Sequence, residues 1–322
     1  MKASPRDSVW ISESAVTSAM DMRGAIQAVE NGLAAEARGE ATAMLKTHAE
    51  WAAGTLHAIG AVFPKAGFAG TKTWAYTQGG ASPLLILFDS ESGELRAVIE
   101  AFTLGSMRTA AASGVATRWL SDETADCFAM IGTGKQAFNQ VGAVLAVRRI
   151  RQVRVFSPNA EHRSQFAERL RKAFDLDIVV SSTVAEAVKD APIITTVTRS
   201  KEPFLRADMI ARGAHINAVG AILPGRAEVA SDVLSRCTQI VSDSPAQAQK
   251  LSSELIGHLG ANPRNWSRVH SLGHLVEAKQ RRRADDDLTL LKSLGTGVLD
   301  LSVGIEVYRK VVNAGVDKVE PL

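Results

Sequence analysis

Cysteine is scarce. The 322-residue chain holds two, Cys127 and Cys237, and no Cys-x-x-Cys pair, which excludes a disulfide scaffold and fits a reduced, cytoplasmic protein. Each lies in an apolar stretch that reads as a buried strand or its edge. Long apolar runs are missing too: none approaches the roughly eighteen residues a membrane helix needs, and the opening MKASPRDSVWISESAV lacks the apolar centre of a secretory leader. No region concentrates charge of one sign. The 37 Lys and Arg against 34 Asp and Glu leave +3 spread along the chain, and Arg281–Arg283 is answered at once by Asp285–Asp287, so neither nucleic acid nor a membrane is an expected partner. The seven histidines contain no His-Glu-x-x-His and no cluster with cysteine at zinc spacing, so no metal site is expected. His270 and His274 stand four apart, but Gly273 lies between them and VHSLGHL reads as strand and loop. Gly-x-Ser-x-Gly, internal repeats and low-complexity tracts are absent as well.

What is present is an ordinary composition, 46% hydrophobic and 22% charged, long enough for two domains. From about residue 127 short apolar runs alternate with amphipathic ones: strand CFAMIG, helix KQAFNQVGAVLAVRRI, strand VRVFS, helix EHRSQFAERLRKAF, strand DIVV, helix VAEAVKD, strand PIITTV, a helix near 206–212 and strand HINAVG. That alternation predicts a doubly wound parallel sheet. The first 110 residues differ. After the helix MRGAIQAVENGLAAEARG come ATAMLK, TLHAIGAVFPK, GTKTWAYT, PLLILFD and ELRAVIEAF, short strands joined by turns, with the clearest hairpin at Phe88 to Gly93. The fold class is therefore α/β: a Rossmann domain over 119–299 and a smaller α+β domain from 1–118 and 300–322, crossing near Glu123.

Gly132, Gly134 and Ala137 fit Gly-x-Gly-x-x-Gly/Ala between a strand and a helix. In that motif the glycines let the backbone approach a pyrophosphate held by free N–H groups at the positive end of the helix, here around Lys135 and Gln136. An acid about 20 residues further on marks NAD. Instead, the second strand ends in Ser157-Pro158-Asn159, with Arg163 nearby and the next acid, Glu161, already in the following helix. Nothing there repels a 2′-phosphate, and Ser157, Asn159 and Arg163 can bind one, so NADP(H) is favoured, with NAD(H) possible.

Four strings occur in register: Met107-Arg108-Thr109-Ala110-Ala111, Gly132-Thr133-Gly134-Lys135-Gln136-Ala137, His215-Ile216-Asn217-Ala218-Val219-Gly220 and Lys292-Ser293-Leu294-Gly295. Together they resemble the ornithine cyclodeaminase/μ-crystallin family over nearly the whole chain. The resemblance implies a homodimer whose N-terminal domain supplies the substrate pocket and an intersubunit sheet, completed by the C-terminal helix, beside the Rossmann domain. Family members include cyclodeaminases, ketimine and cyclic-imine reductases and alanine dehydrogenases, all of which pass a hydride between a nicotinamide and the α-carbon of an amino acid or its imine. By resemblance Lys72 and Arg108 meet the substrate, Arg108 also lies near the cofactor, and Thr109, Thr196, Val197, Asn217, Val219 and Ser293 join the cofactor contacts. A guanidinium grips a carboxylate through two parallel hydrogen bonds, and a desolvated Lys72 can pass a proton to nitrogen.

The departures are informative. A family position that is usually arginine is Lys46, with His48 able to share its work, and a common threonine is Gly105. At Ile222 cyclodeaminases carry an aspartate, and an isoleucine can neither accept a proton nor pair with an ammonium. Of the tryptophans, Trp51 and Trp74 are the ones expected to border a pocket. The expectation is an NAD(P)H-dependent reductase of cyclic ketimines or 2-imino acids, reversible as an amino-acid dehydrogenase. The alternatives are an ornithine cyclodeaminase-type ammonia lyase and a non-catalytic NADP-binding, crystallin-like protein.

Overall fold

A computed structural model describes residues 8–314, so the ends of the expected first domain, 1–7 and 315–322, lie outside the described residues. Internal contacts divide the chain into Met1–Ala111 with Gly295–Leu322, and Ala112–Leu294. The expected boundaries at 118 and 300 fall a little further along the chain, because the helix Phe102–Leu120 carries the division within its own length.

The first unit is built on one sheet of β1 (Val9–Ile11), β2 (Thr42–Ala43), β3 (Thr47–Trp51), β4 (Gly54–Phe63), β5 (Phe68–Thr77), β6 (Leu84–Asp89) and β7 (Leu95–Glu100). Its order is β1-β7-β6-β5-β4-β2, with β3 also on β4. The pairs are antiparallel as expected, except that β1 lies parallel to β7. The predicted hairpin forms between β6 and β7, where Asp89 Oδ1 accepts from the N–H groups of Glu91 and Ser92. ATAMLK is a strand only at Thr42–Ala43. The strand THAEW was not anticipated, since all five of its residues are exposed and no alternation of polarity marks it.

Alternate residues of β4 to β7, among them Ile59, Ala61, Leu85, Leu87, Ala97 and Ile99, are buried on one face of this sheet. Helix Gly297–Asn313 packs there so closely that a Cβ at Gly297 would stand 1.9 Å from the Gly60 carbonyl oxygen. Helix Met22–Ala37, capped by Asp21 and burying Ala25, Ile26, Val29 and Leu33, lies on that helix at Gly32, where a Cβ would meet Ser302.

The second unit is a parallel sheet of β8 (Cys127–Ile131), β9 (Gln152–Phe156), β10 (Asp177–Val180), β11 (Ile193–Thr196), β12 (His215–Ala218), β13 (Cys237–Ser242), β14 (Val269–Ser271) and β15 (Leu288–Lys292). The order β10-β9-β8-β11-β12-β15-β13-β14 reverses direction between β8 and β11. Ligands of doubly wound sheets bind at such a switch point. The fold is thus the expected Rossmann sheet with a second, α+β domain. Two local readings change. The helix near 206–212 is a single 3-10 turn, Ala207–Met209, and the loop expected in VHSLGHL is the helix Leu272–Glu277, whose N-terminus Ser271 caps. A serine cap and the burial of Leu272, Leu275 and Val276 outweigh the helix penalty of Gly273. Among the described residues no helix is long and apolar enough to cross a membrane.

Candidate active site

The glycine turn leaves β8 at the switch point. Gly132 has φ +108°, and a Cβ there would stand 2.8 Å from the Val197 carbonyl oxygen, so only glycine serves. A Cβ at Gly134 would meet nothing within 4 Å, and no side chain caps the helix Ala137–Val147. The turn therefore has an open side and an uncapped helix N-terminus, which fit the phosphates of a dinucleotide. Ala137 is buried and Lys135 exposed. Thr196 and Val197 border the same turn: Val197 N–H donates to the Ile131 carbonyl at 2.9 Å, and Thr196 Oγ1 donates to Glu228.

At the tip of β9 the residues predicted to meet the adenosine ribose come together. Arg163 Nη1 donates to the Ser157 carbonyl at 2.7 Å and its guanidinium lies over the Phe156 ring, while its Nε has no hydrogen-bond partner among the described residues. Asn159 Oδ1 accepts from His162 N–H and caps the helix Ala160–Ala173. Asn159 is thus partly a structural residue.

Other expected cofactor contacts sit deeper. Asn217 is fully buried; its amide nitrogen donates to Thr117 and Thr195, and its oxygen faces His215 Nε2. Its side chain is thus engaged within the sheet, at the end of β12. Val219 is buried just beyond β12, and Ser293 Oγ donates to Asp243 at 2.7 Å. Glu228, unremarked in the sequence, is buried and accepts from Thr196 Oγ1 and from the N–H groups of Thr198, Gly220 and Ala221. It ties the loops after β11 and β12 together. Ile222 is 38% exposed, which sets aside a core role for it.

In the first unit the structure brings Lys46, Lys72 and Arg108 to one place. Lys72 points from the β5 face that carries Trp74, its cross-strand neighbour being Ile59. Arg108 projects from the helix Phe102–Leu120, with Gly105 one turn earlier, where a Cβ would stand 3.3 Å from Lys72 Nζ. Thr109 turns its hydroxyl back to the Gly105 carbonyl. Between the cations stands Asp300, on the first turns of Gly297–Asn313 and completely buried. Its Oδ1 accepts from Lys72 Nζ at 2.5 Å and from Arg108 Nε at 3.0 Å. Arg108 therefore engages Asp300 through Nε, leaving the fork of Nη1 and Nη2 for a ligand. That guanidinium packs on Gly295 (φ +80°), where any side chain would collide with it.

Lys46 Nζ and Lys72 Nζ lie 5.8 and 5.2 Å from the Trp74 ring centre, and His57 stacks on the same ring at 4.8 Å. Trp51, the other tryptophan expected at a pocket, is exposed on β3. Burial pushes the Lys72 ammonium down to about 8; Asp300 opposes the shift and Arg108 and Lys46 add to it. Burial, then Arg108, also lower Lys46, and burial, then Lys46 and His48, lower His57. Lys46, Lys72 and Arg108 face one carboxylate, Asp300, so the cluster carries an excess of positive charge that an anionic ligand would neutralise.

Asp300 was missed in the sequence. The one mark it leaves there is that it is the only charged residue between Lys292 and Glu306, in an otherwise apolar helix start.

The ornithine cyclodeaminase/mu-crystallin family model matches residues 6–315. The Delta(1)-pyrroline-2-carboxylate reductase of Bacillus cereus (strain ZK / E33L) is 32% identical over 235 residues, 72% of each chain. Among solved structures, Thermococcus litoralis Delta(1)-pyrroline-2-carboxylate reductase in complex with NADH and L-proline superposes with a TM-score of 0.88 at 26% identity, over 96% of this chain and 98% of that one. The iminosuccinate reductase of Paracoccus denitrificans with NAD+ gives 0.91 at 25% identity, over 98% and 100%.

Proposed function

The chain belongs to the ornithine cyclodeaminase/mu-crystallin family, and from that premise we propose that it is an NAD(P)H-dependent reductase of cyclic ketimines or other 2-imino acids. The observation that carries the reading is the surplus of cations over Asp300 among Lys46, Lys72 and Arg108, a setting for a small carboxylate. The fork of Arg108 anchors that carboxylate, and Lys46 and Lys72 add charge without a fork. When bound at the turn of Gly132, Gly134 and Ala137, the coenzyme supplies a hydride to the carbon beside the carboxylate. Lys72, eased toward neutrality by burial, gives a proton to the nitrogen as the amine forms.

The first unit is thus the substrate and dimerisation domain and the second the dinucleotide domain. NADP(H) is preferred, with NAD(H) accepted: no carboxylate stands at Ser157–Asn159, and Arg163 is adjacent with an unpartnered Nε. The relatives named with NADH and NAD+ support the nicotinamide without deciding the 2′-phosphate. The protein acts as a homodimer in the cytoplasm, in keeping with its free thiols Cys127 and Cys237.

The test follows NADPH and NADH absorbance against pyrroline- and piperideine-2-carboxylate, iminosuccinate, and 2-oxo acids supplied with ammonia or methylamine. One coenzyme is consumed per amine formed, faster with NADPH. No turnover with any of them, or ammonia released from ornithine without net coenzyme consumption, overturns the reading.

A further inference from the structure

Both cations at Asp300 donate to the same oxygen. Lys72 Nζ and Arg108 Nε meet Oδ1, while Oδ2 is buried and has no hydrogen-bond partner among the described residues. A buried carboxylate oxygen without a donor is unfavourable, and such atoms are rare unless something else meets them. Nothing in its own helix supplies a donor. Thr296, one turn earlier, is buried with an equally unpartnered Oγ1, so this end of the helix has polar capacity to spare.

The ligand suited to the cluster has a particular shape. In an α-imino acid the nitrogen is two bonds from the carboxylate carbon, so whatever holds the carboxylate beside Lys46, Lys72 and Arg108 brings an N–H close to the same group of side chains. We propose that Asp300 Oδ2 accepts the N–H of the substrate's protonated imine and of the amine product, an assignment that rests on the imino-acid reading above. Asp300 then does for nitrogen what Ile222 cannot. It also sorts substrates: a 2-oxo acid offers an oxygen lone pair where the imine offers a donor, and two acceptors facing each other repel. Lys46, Lys72 and Arg108 are the charged groups facing Asp300, and all are cationic donors, so none competes for that N–H as an acceptor.

The assignment is tested by calorimetric binding to the full chain with NADP+, comparing L-proline with (S)-tetrahydrofuran-2-carboxylate, which keeps the ring and carboxylate but replaces the ammonium by an ether oxygen. Wild type binds proline at least about tenfold more tightly, the span of one hydrogen bond to a charged group. In Asp300→Asn the two affinities converge while the ether still binds through its carboxylate. Equal affinities in wild type overturn the assignment without any variant, so it stays testable if Asp300→Asn does not fold. An equal loss for both ligands in the variant also overturns it, since Asp300 would then only hold the cations in place. If neither ligand binds, the assignment falls. The turnover panel then shows whether the imino-acid reading falls with it or stands alone.

Discussion

Truncating Arg108 to alanine removes the only guanidinium fork in the cation cluster and leaves Lys72 alone on Asp300. A desolvated charged contact of about 3 kcal/mol is lost, so kcat/KM for the imine falls at least about a hundredfold; unchanged kinetics would remove Arg108 from the substrate site and favour a coenzyme-holding role. As the proposed proton donor, Lys72 would set the pH range. Burial brings its ammonium down to about 8, so the charge is present below that pH and is lost as pH rises through it. The kcat/KM profile accordingly falls on an alkaline limb near pH 8, and Lys72→Arg, which cannot deprotonate, abolishes that limb. A profile flat from about pH 7 to about pH 10, across the range where an ordinary lysine stays charged, argues that Lys72 is not the proton donor. Lys72 and Arg108 were legible because each sits in a distinctive string. Asp300 was not, since an acid in the first turns of a helix reads as ordinary dipole compensation, and its partners lie 228 and 192 residues away in sequence.

The helix Gly297–Asn313 is the element on which the site turns, because it presents Asp300 about one turn from its start. Its entry is set by backbone against backbone: a Cβ at Gly297 would stand 1.9 Å from the Gly60 oxygen, which is part of β4 and has little room to yield. Gly297→Ala therefore destabilises the protein by about 1–3 kcal/mol, the usual penalty of overpacking, read as a lower urea midpoint with unchanged slope. The displaced helix start also moves Asp300, so KM for the imine rises in the folded fraction. A variant of wild-type stability would mean that the helix slides freely on the sheet. Elements with a strong period were legible, as the alternation of β8 to β12 with helices shows. The strand β3 was not, because all of it faces solvent and nothing in THAEW separates an inner from an outer face. In VHSLGHL the glycine outweighed a serine cap that only tertiary burial makes decisive.

At the scale of the whole protein, the face of the first sheet opposite Lys72 carries no charge along the run that pairs Leu56 with Ala75, Ala58 with Thr73, Gly60 with Thr71 and Val62 with Ala69. It continues through Leu84, Ile86 and Phe88 of β6 to Val98 of β7, where Arg96 and Glu100 on either side give the face its charged edge. An antiparallel sheet with one wet face alternates apolar and polar residues, yet here the positions opposite Lys72 on β4, β5 and β6 are themselves apolar, small or threonine, and Leu56 and Val62 are 48% and 41% exposed. In sequence this apolarity is indistinguishable from a strand buried on both sides; only the structure shows that one side has no cover among the described residues. In the proposed homodimer a second copy of the same face would supply that cover, since a self-complementary apolar patch closes with two-fold symmetry. Light scattering should therefore give twice the 34.3 kDa of the chain. Val62→Lys and Leu56→Lys, which place ammoniums on exposed positions of the face and disturb no packing inside the chain, should shift the mass to the monomer while leaving circular dichroism intact. A wild-type monomer, or a dimer indifferent to both substitutions, would leave this sheet face without the partner assigned to it.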